Sequence, residues 1–251
     1  MNKFINPFIN NAINNKTRRL FLNSVYRSGI AIAIARFGLI SPMAQVFGDI
    51  PKELKNDESI FELQGEVFVD GQLANMSTQI KADSLIKTGS NSFIIFRVGK
   101  DAHILRENSQ MQLEGENALE AGLHLITGKL LSVFGQRESG KKHNLRTSTA
   151  TIGIRGTGVY AESYPDKSYL CTCYGSTNIQ SNTDPKQSEI VTTTHHDSPR
   201  FILQNPEQGQ LIIPAPVFNH TDEELALIEA IVGRDSPISA IQGYKRPRRG
   251  Y

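Results

Sequence analysis

The sequence predicts a mainly β protein: a compact roll or solenoid-like β domain of short strands, followed by one C-terminal amphipathic helix. Three observations predict it. From Ile60 onward the chain alternates apolar and polar residues in short runs, IFELQGEVFVDG, SLIKTGSNSFIIFRVGKDAHILRENSQMQL and LHLITGKLLSVFG, which is the period of strands with one buried face. Gly, Asn or Asp breaks these runs every ~8–12 residues, as turns do in an all-β domain. No helical apolar period of useful length occurs before the C-terminus.

The elements follow in order. Residues 1–47 read as an export signal or N-terminal anchor, 48–59 as a charged linker, 60–205 as the β domain, and 206–251 as an extended segment, a helix over 221–233 and a basic tail. Val69-Asp70-Gly71 and Val98-Gly99-Lys100-Asp101 read as hairpin connections, because Gly accepts the positive φ of tight turns. In the last part, Thr221 with Glu224 three residues on makes a capping box. Asp222, Glu223 and Glu224 suit the positive end of that helix, and Gly233 suits its stop. Leu225, Ile228, Ile231 and Val232 share a face expected to dock onto the β domain or onto a partner.

Composition excludes one function class. Lys+Arg and Asp+Glu number 27 and 25, for a net charge of +2, and Trp is absent. A broad phosphate-binding face would raise the net positive charge, so nucleic acid is not an expected partner. The basic residues cluster at the two ends instead. Lys245, Arg246, Arg248 and Arg249 form a short tail able to touch acidic lipid headgroups, giving a peripheral membrane contact there or through the N-terminus.

At the N-terminus a basic, acid-poor region precedes the modest apolar run IAIAIARFGLI, Ile30 to Ile40, the layout of an export signal. Within it, Thr17-Arg18-Arg19-Leu20-Phe21-Leu22 resembles the twin-arginine export motif, with Arg18, Arg19, Phe21 and Leu22 as its determining residues. Arg27 and Arg36 interrupt the apolar stretch, which is too short for a membrane-spanning helix of ~20 residues. Processing is expected loosely between Ser41 and Gly48. The chain is therefore expected in the periplasm or cell envelope of a bacterium.

The segment NLRTSTATIGIRGTGVY, Asn144 to Tyr160, resembles the signature of the FecR domain, carried here by Thr151, Ile152, Gly153, Arg155, Gly156 and Thr157. Ile86 to Leu113 resembles the same family's succession of strands, and the likeness covers about residues 60 to 180. It implies an exported module of ligand sensing and signal relay with a small ligand or an envelope protein as partner. The sigma-binding region and transmembrane helix of the best known members have no counterpart expected here. Read from the residues alone, Gly153, Gly156 and Gly158 mark bulges or close approaches within strands rather than a phosphate loop, since no nucleotide-binding spacing is present.

Both cysteines lie in YLCTCYGSTNIQ, Tyr169 to Gln180. If Tyr169 to Tyr174 is a strand, Cys171 and Cys173 share a face, with Cα atoms about 6.5 Å apart, near the limit for a disulfide. Three readings stand: two buried apolar cysteines, a labile redox pair, or two metal ligands. Gly175-Ser176 reads as a turn, Thr177 to Gln180 as a second strand, Ser181 to Ser188 as a loop, and Glu189 to Thr194 as a third strand ending at His195 and His196. In that meander the first and third strands lie about 9.6 Å apart, so the imidazoles reach the thiols only if the sheet curls. Cys171, Cys173, His195 and His196 form a ligand set suited to zinc, with iron, copper or haem as alternatives. The same four residues serve the alternative reading, an exported thiol-redox or metal-handling protein. His103, His124, His143 and His220 are scattered, no hydrolase or transferase constellation is present, and catalysis is not expected.

Overall fold

In the computed structural model the described residues are 53–55, 57–115, 122–136 and 143–240. The export motif at Arg18, Arg19, Phe21 and Leu22 and the basic tail fall outside them. Among the described residues no helix is long and apolar enough to cross a membrane.

Among the described residues fourteen strands form one hydrogen-bonded network. In chain order they are β1 Ile60–Gln64, β2 Val67–Val69, β3 Gln72–Leu73, β4 Leu85–Thr88, β5 Phe93–Val98, β6 Asp101–Leu105, β7 Gln110–Glu114, β8 Gly122–Val133, β9 His143–Arg146, β10 Ala150–Ser163, β11 Lys167–Ser181, β12 Ser188–Thr193, β13 Arg200–Glu207 and β14 Gln210–Pro214. The mainly β expectation holds, and both expected hairpin connections are present, at Val69↔Gln72 and Val98↔Asp101. One helix follows, α1 Asp222–Ala230, then a short 3₁₀ turn over Pro237–Ala240.

Three strands are long rather than short: β8, β10 and β11 run 12, 14 and 15 residues. Each changes partners midway, and this divides the network into two layers. The first half of β8 pairs with β7 and β9, while its second half pairs with β6 and β10. β10 leaves β9 for β8, and β11 passes from β13 to β12. The changes occur at Gly128, Gly156 and Gly175, all at positive φ, where a side-chain-bearing residue would resist the bend. One layer is β3-β2-β4-β7-β8-β9-β10-β11-β12, the other β1-β5-β6-β8-β10-β11-β13-β14.

Period-two alternation then assigns two cores. Ile94, Phe96, Leu105, Leu130, Val159, Ala161 and Leu170 of the second layer pack with Ile86, Met111, Leu123, Leu125 and Ile152 of the first. Their sequence neighbours Ile95, Ile104, Leu131, Tyr160, Tyr169 and Cys171 face the other way, into a core shared with α1. The second layer is therefore buried on both faces.

Helix α1 is nine residues long, too short to be stable alone in water. Its capping box is formed: Thr221 accepts from the Glu224 backbone N–H, and the Glu224 carboxylate accepts from the Thr221 N–H. Leu225, Leu227, Ile228 and Ile231 are buried, each contributing roughly 1.5–3 kcal/mol of docking. Arg106 pairs with Glu224 at 2.9 Å, Arg234 with Glu229 at 2.5 Å, and Tyr174 donates to Glu229. β13 runs across the boundary expected at residue 205, and β14 pairs with it as a strand, so the extended segment belongs to the sheet.

Candidate metal centre

Tyr169 to Tyr174 is strand, as expected, but it does not stop at Gly175-Ser176. β11 continues to Ser181, because Gly175 takes φ 87 and absorbs a bulge opposite Gly156 and Thr157 instead of reversing the chain. The reversal comes later, at Asn182 to Gln187, where Asp184 and Ser181 hold backbone N–H groups. β12 therefore lies directly beside β11, with Gly175↔Thr193 in register. The expected meander with an intervening strand is replaced by one hairpin.

That change brings the histidines home. β12 and β13 sit along the same edge of β11, one in each layer, so residues 194–199 cross from layer to layer past Cys171 and Cys173. The His196 N–H donates to the Cys173 carbonyl at 3.0 Å, and the Thr193 hydroxyl to the Thr172 carbonyl at 2.6 Å. His196 takes φ 50, a left-handed conformation uncommon outside Gly. It lies beyond the end of β12 at Thr193, where the strand's alternation no longer holds adjacent side chains to opposite faces.

Four donors meet beneath α1. Cys171, Cys173, His196 and His220 are all buried, and one ligating atom from each lies within 4.8 Å of all the others. His196 Nδ1 is 3.3 Å from Cys171 Sγ, and His220 Nε2 is 3.0 Å from His196 Nδ1. His195 is not in this cluster. Its Nε2 lies 3.2 Å from Asp222 Oδ2 on the outer side of His196.

His220, set apart in the sequence reading as a scattered histidine, takes the fourth place. After β14 the chain passes under Tyr169, whose hydroxyl donates to the Pro216 carbonyl at 3.0 Å. Phe218 packs on the Tyr169 ring at 4.2 Å, and His220 stacks on Tyr160 at 4.6 Å. The only local hint was its place just before the Thr221 cap, which fixes the chain direction there.

The hydrogen-bond accounting at the two imidazoles is unambiguous. A carbonyl oxygen only accepts, so His220 Nδ1, 2.7 Å from the Phe218 carbonyl, must donate. An ionised carboxylate only accepts, so His196 Nε2, 2.9 Å from Asp222 Oδ1, must donate too. In neutral rings the two remaining nitrogens would then aim lone pairs at each other across 3.0 Å. A cation, either a metal or a shared proton, has to resolve that contact.

The electrostatics agree. Burial opposes ionisation of Cys171, but hydrogen bonds from Cys173, His196 and His220 outweigh it and hold the thiol well below its ordinary value. Burial, with the neighbouring Cys171, pushes Cys173 well above. Burial also opposes charge on His196, yet Asp222 and Cys171 raise it to about 9. Asp222 is held below the usual carboxylate range against its burial by His196 and His195, and it stands in the first turn of α1, where a negative charge is favoured.

The signature residues lie elsewhere. Thr151 hydrogen-bonds Asn182 at 2.9 Å, and Ile152 is fully buried in the inter-layer core. Gly153 faces Asn144 and Asn178 in neighbouring strands, while Arg155 is exposed and Thr157 buried. Ile154, Arg155 and Gly156 line a cavity of about 310 Å³ with Phe134, Gln136 and His143. That cavity shares no residue with the cysteine cluster.

No family model and no curated protein matches the chain. Among solved structures it is similar to a candidate anti-sigma factor from Parabacteroides distasonis, known in crystal structures at 1.65 and 2.50 Å resolution. Each aligns with a TM-score of 0.43 and 12% identity over 52% of this chain and 58% of that chain. The chain thus spans a little over half the length of those neighbours.

Proposed function

We propose that the protein is a FecR-like binding and sensing module of the bacterial cell envelope, without catalytic activity of its own, in which a zinc ion fastens the C-terminal helix to the sheet. The observation that carries the zinc assignment is the facing pair His196 Nδ1 and His220 Nε2, each with its opposite nitrogen donating to a fixed acceptor, beside two buried sulfurs. Metal-bound histidines characteristically make such a bond to a carboxylate or carbonyl. Tetrahedral zinc with bonds of about 2.0–2.3 Å places its donors about 3.3–3.8 Å apart; here His196 Nδ1 lies 3.3 Å from Cys171 Sγ and 3.0 Å from His220 Nε2, and all four donors lie within 4.8 Å of one another. Four protein donors, all buried, make a closed, structural site rather than a catalytic one with an open position. Thiolate and imidazole together select zinc over magnesium or calcium. Two imidazole nitrogens 3.0 Å apart leave no slot for a haem plane between them.

The envelope part of the reading is supported by the sequence: the ATIGIRGT segment and the Arg18-Arg19 motif. The twin-arginine route carries folded proteins, which suits a centre loaded before export. Arg18→Lys with Arg19→Lys is expected to leave the chain in the cytoplasm when cell fractions are blotted; unchanged periplasmic recovery would remove this route.

The thiol-redox alternative has its own observation, a low-pKa Cys171 beside His196. Its difficulty is access, since both sulfurs are fully buried. Native mass and metal content of the full chain from the periplasmic fraction decide between the two. We expect one zinc per chain, lost in the Cys171→Ser, Cys173→Ser double variant. A metal-free protein two hydrogen atoms lighter than its reduced mass would put the disulfide reading in its place.

A further inference from the structure

We infer that a second, more exposed cation site is built on the back of the first, formed by His195 Nε2, the Asp222 carboxylate and His196 Nε2, so that the His196 ring bridges two ions. This rests on the zinc reading above. The three ligating groups lie within 4.8 Å of one another. His195 Nε2 is 3.2 and 3.3 Å from the two Asp222 oxygens, and His196 Nε2 is 2.9 Å from Oδ1. The rings of His195 and His196 stand at 74° with centroids 4.7 Å apart, both turning Nε2 to the same carboxylate. Both residues lie past the end of β12 at Thr193, outside the strand's alternation, and the backbone between them turns left-handed at His196.

The chemistry differs from the inner site. Two imidazoles and one carboxylate leave a tetrahedral ion one open position, and this donor set suits zinc, nickel or copper(II). The His195 and Asp222 side chains are 21% and 12% exposed, so the open position faces the solvent side of the cluster. Charge also balances. Two thiolates neutralise the inner ion, while the Asp222 carboxylate and a His196 imidazolate neutralise the outer one. The outer ion replaces the proton that His196 Nε2 otherwise donates to Asp222, and that proton leaves to solvent.

The test is titration of the zinc-loaded full chain with zinc against a weak chelator, counting ions by native mass spectrometry, for the wild type and His195→Ala. A parallel titration with cobalt(II) follows the thiolate-to-cobalt absorption of the inner ion. We expect two ions in the wild type, and second-ion affinity lowered tenfold or more in His195→Ala with the first ion retained. The inner cobalt bands should shift as the second equivalent enters, because the bridging ring joins the two ions. One ion in both proteins overturns this inference and leaves the zinc reading standing, whereas no ion in either removes both. Two ions bound equally by both proteins, with unmoved cobalt bands, would place the second ion elsewhere and overturn it as well.

Discussion

At the scale of single residues, the centre depends on which nitrogen faces which atom. Cys171, Cys173 and His196 were legible in the sequence because alternation puts two cysteines of a CxC on one strand face and a turn brings a histidine back to it. The strand end expected at His195 and His196 admits both imidazoles to one site, whereas nothing local marks His220, 24 residues beyond His196 with no periodicity linking them. Around a left-handed backbone at His196, φ 50, one imidazole faces Cys171 and the other faces Asp222. Glycine shows the same sensitivity. A Cβ at Gly158 would lie 2.5 Å from the Tyr174 ring and 3.2 Å from Leu225, while one at Gly71 would meet nothing within 4 Å. Gly158→Ala should therefore cost about 2–3 kcal/mol by overpacking, against about 1 kcal/mol for Gly71→Ala, where only the positive φ of 79 resists. Denaturant midpoints of the two variants check this, and equal losses would mean that Tyr174 moves aside freely.

Among the elements, the hairpin of β11 and β12 and the docking of α1 decide the site. Four tyrosines on β10, β11 and the connection between them are held protonated. Burial, then the charge of Glu162, pushes Tyr160 up and takes Tyr164 to about 12; burial, then Cys171, raises Tyr169, and burial, then Glu229, raises Tyr174. A folded-state value above the unfolded one gives stability that is complete below the unfolded value, about pH 10, and lost as pH rises past it. Stability should thus be flat in this respect up to about pH 10 and decline above it, through the value near 12 for Tyr164. Absorbance titration of the 7 tyrosines should show these four ionising together with loss of the circular dichroism signal. Ionisation of all seven near pH 10 in a folded chain would contradict the burial.

On the scale of the whole molecule, the proposed zinc ion would join parts that are distant in sequence: strand β11, the crossover between β12 and β13, and the segment leading into α1. Binding to the folded state alone, at a thousandfold excess over the dissociation constant, contributes about 4 kcal/mol. Removing zinc with a strong chelator should lower Tm by roughly 10 °C, the C-terminal segment becoming protease-sensitive first. An unchanged Tm would mean that apolar docking of α1 suffices without the ion.

By itself the sequence determined the β class, two hairpin turns, the capped helix and the shared face of Cys171 and Cys173. Each of these follows from local period, turn chemistry or capping, which act over a few residues. Only the tertiary structure decided that β8, β10 and β11 are long, bent strands passing between two layers. Glycine at the bends reads locally as a turn, and only pairing on both sides keeps the chain extended. That His220 joins Cys171, Cys173 and His196 in one buried cluster while His195 lies beside Asp222 was likewise decided there, because a side-chain cluster assembled across a sheet edge and a helix start is fixed by packing distance, which no local pattern records.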